Sequence, residues 1–200
     1  PAYTSIIGSG ESATILHYIS NDRQCQDGDV LLMDFGAEYA NYAADLTRSI
    51  PVNGTFSPRQ RQVYEAVLRV FRFCQSRLVP GHSIEEYHKE VGATMEQELI
   101  KLDLLNASDV KNQDPEAPLY KKYFPHGTSH YLGLDVHDVG FKYRTFEANM
   151  VYTIEPGIYI REEKLGIRLE NDFLLTATGN EDLMADIPLE LADIERLMKR

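Results

Sequence analysis

The chain has 200 residues, 43% of them hydrophobic and 26% charged, with a formal net charge of −11; this suits a single globular domain with a sizeable core. No block of Lys and Arg accompanies the acidity, so nucleic acid and anionic membrane are disfavoured as partners. No apolar run approaches bilayer-spanning length, no signal peptide opens the chain, and Cys25 and Cys74 form no close pair of the zinc or redox kind. Pro1, not Met, comes first, which points to a fragment or a processed chain.

Residues 13 to 19, Ala-Thr-Ile-Leu-His-Tyr-Ile, read as a strand, and Asp27-Gly28-Asp29 as a turn. Val30 to Met33 is an apolar run ending in Asp34, and a second strand carries Asp45. Ser57-Pro58-Arg59-Gln60 has a Ser N-cap, Pro at the first helical position and Gln completing a capping box. Val63, Ala66, Val67, Val70, Phe71, Cys74 and Leu78 follow at helical spacing until Val79-Pro80-Gly81 stops the helix. Ser83-Ile84-Glu85-Glu86 is a second capping box, followed by a stripe of Ile84, Tyr87, Val91, Met95, Leu99 and Leu102. Both stripes are core faces, whereas His82 and His88 read as surface residues. Residues 103 to 125 are polar and contain Pro115, Pro118 and Pro125, as a long loop would. Two strands are expected over 150–160 and 166–176, and a short amphipathic helix over 188–198. With no linker or low-complexity segment, the order predicts one α+β domain over residues 1–200.

Acids stand where strands should be apolar. If the first hairpin turns near Tyr39 and Ala40, Asp34 faces Asp45. If the second turns at Glu162-Glu163, Glu155 faces Glu170. Like charges directly opposite are destabilising, and burial makes this worse. A shared-proton dyad or ordinary surface acids explain one such pair. Two pairs favour a cation cluster, with oxygen ligands suited to a hard ion such as Mn²⁺ or Mg²⁺. Residues 126 to 138 add three of the six histidines, His126, His130 and His137. An imidazole there can complete a metal site or donate to an oxyanion, and spacing alone does not choose between these roles.

These segments resemble the pita-bread metallopeptidases, in the aminopeptidase P and prolidase branch. The likeness rests on Ile7-Gly8-Ser9-Gly10-Glu11 with Leu16-His17-Tyr18, and on Met33-Asp34-Phe35-Gly36 with Ala44-Asp45-Leu46-Thr47-Arg48. It continues through the histidine segment, Thr153-Ile154-Glu155-Pro156-Gly157 and Gly166-Ile167-Arg168-Leu169-Glu170-Asn171-Asp172, in order across nearly the whole chain. It implies a curved, mostly antiparallel sheet with helices on its outer face, here without the first helices and the N-terminal domain usual in the branch. It also implies two divalent ions, manganese by preference, held by Asp34, Asp45, His130, Glu155 and Glu170, with Asp45 and Glu170 bridging. A bridging hydroxide attacks the peptide carbonyl in such enzymes, and Glu155 matches the general base. His17 and His137 match histidines that contact substrate and stabilise the tetrahedral intermediate, His126 one on the proline side, and Arg168 an arginine supporting the site.

The activity implied is removal of an N-terminal residue that stands before proline. A prolidase acting on Xaa-Pro dipeptides and a non-catalytic binding module on the same fold are the alternatives; a methionine aminopeptidase fits the Val136-His137-Asp138 segment less well. The expected partner is a proline-containing peptide, with a homo-oligomer left open. The thiols suggest a cytoplasmic protein.

Overall fold

The computed structural model describes residues 1–141 and 143–199. The N-terminal sheet joins β1 (Ile6–Ser9), β2 (Val30–Asp34) and β5 (Thr47–Pro51), all antiparallel, with β2 in the centre. A short hairpin, β3 (Glu38–Tyr39) and β4 (Tyr42–Ala43), projects from it. Two helices follow, α1 (Pro58–Arg77) and α2 (Ile84–Lys101), then a single helical turn, α3 (Ala107–Lys111). The C-terminal strands are β6 (Val151–Ile154), β7 (Gly157–Ile160), β8 (Leu165–Arg168), β9 (Asn171–Leu175) and β10 (Asn180–Asp182), and α4 (Leu191–Met198) comes last. β7 pairs with β8, while β9 lies between β6 and β10.

Both helix starts behave as their sequences require. The Ser57 side chain accepts the Gln60 N–H, and the Gln60 side chain accepts the Ser57 N–H at 2.8 Å. The second box is only half made, because Ser83 accepts the Glu86 N–H but its hydroxyl donates to the Glu86 carboxylate at 2.9 Å. The two apolar stripes meet the inner strands in one core. Val63, Val67 and Phe71 of α1 and Met95 of α2 are buried together with Ile154, Ile167 and Phe173. The Phe71 and Phe173 rings lie 5.9 Å apart. Each such side chain contributes about 1.5–3 kcal/mol of transfer free energy, so the helices hold the sheet's back while its other side carries the polar groups.

Four expectations need correction. Residues 13 to 19 are not a strand: β1 lies earlier, and Gly10–Thr14 form a 3₁₀ turn. Gly10 has φ +56, and a Cβ there would lie 2.7 Å from the Asp29 carboxylate, so the chain folds back just after β1. The apparent alternation beyond it reports no buried face, since Ile15 and Ile19 are 51% and 61% exposed. The long strands over 150–160 and 166–176 are each broken, at Glu155-Pro156 and at Leu169-Glu170, because Pro156 has no N–H for the ladder. The 103–125 loop contains α3 and a 3₁₀ turn over Leu119–Lys122, neither of which buries a residue that could have marked it. His82 and His88 are half-buried, since residues beside α2 bridge to the later loop at Ser83 and Thr145.

Candidate metal centre

The first hairpin turns at Ala40 and Asn41, both at positive φ (51° and 67°), one residue later than expected. The register therefore shifts by two, and Asp34 lies opposite Thr47, not Asp45. Asp45 is in no strand; it occupies the link between β4 and β5. That link pinches tightly against the chain after β2, where a Cβ on Gly36 would come within 1.7 Å of the Ala44 carbonyl oxygen. Asp34 and Asp45 still meet, because the Tyr3 hydroxyl touches both, reaching Asp45 Oδ1 at 2.5 Å. In the second hairpin the expected register holds. Ile154 pairs with Asn171 and Gly157 with Arg168, which puts Glu155 and Glu170 opposite each other in the gap between the two ladders. An isolated bridge from Thr47 to Glu170 joins the hairpins.

Every residue expected in the site lines one cavity of about 280 Å³. Asp34, Asp45 and Glu170 are buried to 8%, 5% and 2% exposure. Glu155, His126 and His130 are half-buried in its wall, and His17 and His137 stand exposed at its mouth. The His130 and His137 rings are 4.2 Å apart between centroids.

Arg168 is the cation beside the acids. Its guanidinium donates to Asp34 Oδ2 at 2.6 Å, to Thr47 Oγ1 at 3.0 Å and to the Tyr159 hydroxyl at 2.8 Å. The Thr47 hydroxyl in turn donates to Glu170 Oε2 at 2.6 Å. Tyr159 continues to His126 Nε2 at 2.8 Å, while His126 Nδ1 lies 2.8 Å from the Gly127 carbonyl. A carbonyl only accepts, so Nδ1 carries the hydrogen and Nε2 accepts from Tyr159. Burial, with Arg168 nearby, pushes the His126 pKa down to about 3, so its ring is neutral.

The acids are short of positive charge. Burial raises the Asp34 pKa despite Arg168 and Tyr3, and lifts Glu155 to about 7. Glu170 is raised well above the usual carboxylate range by burial and by the charges of Asp45, Glu155 and Asp34. A phenol has one proton to give, so Tyr3 satisfies only one of two ionised carboxylates. His130 donates from Nδ1 to the Tyr131 carbonyl at 2.9 Å, which turns the Nε2 lone pair toward Asp45 Oδ2 at 3.5 Å and Glu155 Oε1 at 3.7 Å. Burial lowers the His130 pKa, but these two acids outweigh it and the net shift is upward. Lone pairs that converge in this way are stable around extra protons or around a cation. Ligand atoms of Asp45, His130 and Glu170 all lie within 4.8 Å of one another. Carboxylate oxygens with one imidazole suit a hard or borderline divalent ion.

Tyr3, Thr47, Tyr159 and Asp172 were not singled out from the sequence. Asp172 is 3% exposed; its Oδ2 accepts the Asp45 N–H at 3.1 Å and its Oδ1 has no partner among the described residues. Burial lifts its pKa to about 7. Its signal was legible as a further acid two residues beyond Glu170, hence on the same face. Tyr3 carries no such pattern.

The matching family model, metallopeptidase family M24, covers residues 1–177, and the chain belongs to that family. It is 46% identical to the Xaa-Pro aminopeptidase of Haemophilus influenzae and 42% identical to that of Escherichia coli. Those matches cover 99% of this chain and 48% and 47% of the relatives. Among solved structures, proline aminopeptidase P II from Yersinia pestis is 42% identical and a variant of Escherichia coli aminopeptidase P is 41% identical. Both have a TM-score of 0.92 and match 100% of this chain and 48% of theirs. The chain thus has the pita-bread fold and spans about half the length of the relatives it matches. Divalent metal ions belong to such a metallopeptidase, and the donor set fits them. Among the described residues no helix is long and apolar enough to cross a membrane.

Proposed function

We propose that this chain is the metal-binding catalytic part of an aminopeptidase that releases the N-terminal residue standing before proline. The observation that carries this reading is the convergence of Asp34, Asp45, His130, Glu155 and Glu170 on one cavity, with their lone pairs facing one another and too few protons or cations between them. Those five would hold two divalent ions, manganese by preference. Bound there, the ions would supply a Lewis acid for the scissile carbonyl and lower the pKa of a nucleophilic water.

The protein's own groups do the rest. Glu155 accepts no side-chain hydrogen bond among the described residues, which leaves its carboxyl able to take a proton and return it. The natural destination of that proton is the departing proline nitrogen. His17 and His137 stand at the mouth, able to donate to the oxygen that gains charge. His126, held neutral beside Phe124 with ring centroids 4.8 Å apart, offers a compact wall to the proline side. Arg168 positions the acids by holding Asp34 directly and Glu170 through Thr47. An Xaa-Pro bond suits such a site because its tertiary amide has no N–H for an extended-chain peptidase to grip.

The test offers the Mn²⁺-loaded protein an Xaa-Pro-Yaa tripeptide, an Xaa-Pro dipeptide and a Met-Ala-Ser control, with products read by mass spectrometry. Release of Pro-Yaa is expected. Cleavage confined to the dipeptide would make the chain a prolidase, and no cleavage with no stoichiometric metal would make it a binding module.

A further inference from the structure

A second cleft, of about 650 Å³, adjoins the metal cavity. One wall is Thr14, Ile15 and Leu16, at the end of the first 3₁₀ turn and just beyond it; the other walls are the Leu119–Lys122 turn and the residues following β7. Leu16 lines both spaces. Tyr159 lines the cleft, and its hydroxyl bonds His126 in the wall of the metal cavity. The two spaces thus share Leu16 and are joined by this bond at His126, the residue placed on the proline side. The Tyr159 N–H donates to the Tyr123 carbonyl at 2.9 Å and ties the segment after the Leu119–Lys122 turn to β7.

Its charge is opposite to that of the molecule. In a chain of net charge −11, the cleft presents three cations, Lys121, Lys122 and Arg161, against one acid, Glu162. Lys122 is engaged, with Glu162 Oε1 at 3.3 Å and the Tyr123 hydroxyl at 3.0 Å. Lys121 and Arg161 make no ion pair among the described residues. Two cations without an ion pair thus line the cleft together with Ile15, Tyr123 and Pro125. A carboxylate attached to an extended peptide is the chemistry that complements this arrangement.

We propose that this cleft receives the part of the substrate downstream of proline and selects for a carboxylate there, either the peptide's own C-terminus or an acidic side chain. The proposal rests on the proline-peptidase reading and adds to it a substrate preference. It is tested with Ala-Pro-Yaa peptides in which Yaa is Asp, Leu or Lys, each as free acid and as C-terminal amide. Comparing acid with amide at Yaa = Leu isolates the terminal carboxylate; comparing Asp with Lys among the amides isolates the side chain.

In at least one of these comparisons, kcat/KM should favour the carboxylate by roughly tenfold, as two partly exposed ion pairs would give. The double variant Lys121→Glu with Arg161→Glu should invert that ratio, and Lys121→Gln with Arg161→Gln should level it. Each ratio is taken within one protein, so a general loss of activity or stability cancels. Flat ratios in the unaltered protein, or ratios that neither variant moves, overturn the proposal. If no peptide is cut, the amides of Pro-Asp and Pro-Lys and free Pro-Leu against its amide are titrated calorimetrically onto the Mn²⁺-loaded protein. Carboxylate-selective binding that the Gln variant abolishes supports the cleft and places the failure in the catalytic reading. Equal binding, or none, overturns the cleft as well.

Discussion

The two hairpins bring acids to the same cavity by different means. The first delivers Asp34 and Asp45 with donors already in place: the Tyr3 hydroxyl touches both, Arg168 holds Asp34, and Asp45 is fixed through its own N–H to Asp172. The second delivers Glu155 and Glu170 from the gap between ladders. Glu170 has Thr47, and among the described residues Glu155 has only the histidine contacts of His126 Nδ1 at 3.4 Å and His130 Nε2 at 3.7 Å. One side is a prefabricated clamp, and the other leaves Glu155 with few donors, as the proposed proton transfer requires. Positioning and proton transfer need opposite things from a carboxylate, and the difference in donors separates them.

The sharpest way to break this comparison is Glu155→Gln. The amide keeps the shape but cannot take a proton. The expected loss in kcat is about 10²–10⁴-fold, the usual worth of a positioned acid–base group, read by steady-state kinetics on an Xaa-Pro-Yaa peptide at saturating Mn²⁺. A drop below tenfold would mean that Glu155 does not carry the proton, and the division of labour between the hairpins would collapse.

Tyr3→Phe tests the clamp. It removes the only side-chain donor shared by Asp34 and Asp45 among the described residues and leaves both carboxylates in place. Groups that orient metal ligands are worth about 10–100-fold in affinity, so Mn²⁺ binding by calorimetry should weaken by that much. The kcat at saturating metal should fall less than for Glu155→Gln. Unchanged affinity would show that Asp34 and Asp45 are held by the backbone and Arg168 alone.

The same contrast explains what could be read from the sequence. The second hairpin's register was legible because its turn is centred where the charged run Glu162-Glu163 puts it, and Glu155 lands opposite Glu170. The first was misjudged by two residues because its turn uses Ala40 and Asn41 at positive φ, and an Ala in that region gives no warning. The helices were legible from their caps, since Ser57 and Ser83 each make the bond expected of them. The strand placed over 13–19 failed because Gly10 reverses the chain first. Which acids and histidines gather in one cavity was expected from the resemblance; residue types and spacing alone offered two acid pairs and left the roles of the histidines open. Of the groups that hold them, Arg168 was expected from the same resemblance, whereas Tyr3, 31 residues from Asp34, was not. Contacts at that separation leave no periodicity in either segment.

A smaller effect comes from an acid far from the cavity that has its donors and faces no other acid. Glu98 on α2 is buried yet receives Arg69 at 2.7 and 2.9 Å and Lys101 at 2.8 Å. Burial alone would raise its pKa, but these donors outweigh burial and the net shift is downward, opposite to Glu155 and Glu170. A carboxyl whose pKa is depressed on folding stabilises the protein above its unfolded pKa, and that contribution is lost as pH falls through the folded value. Arg69 and Lys101 are about half exposed or more, so solvent screening limits the effect to about 1 kcal/mol. Glu98→Gln should therefore lower stability to urea by that amount at pH 7, and the gap between variant and parent should close as the pH drops below about 4. A gap that stays constant across that range would assign the role of Glu98 to packing, and the contrast between supplied and unsupplied carboxylates would then hold only within the cavity.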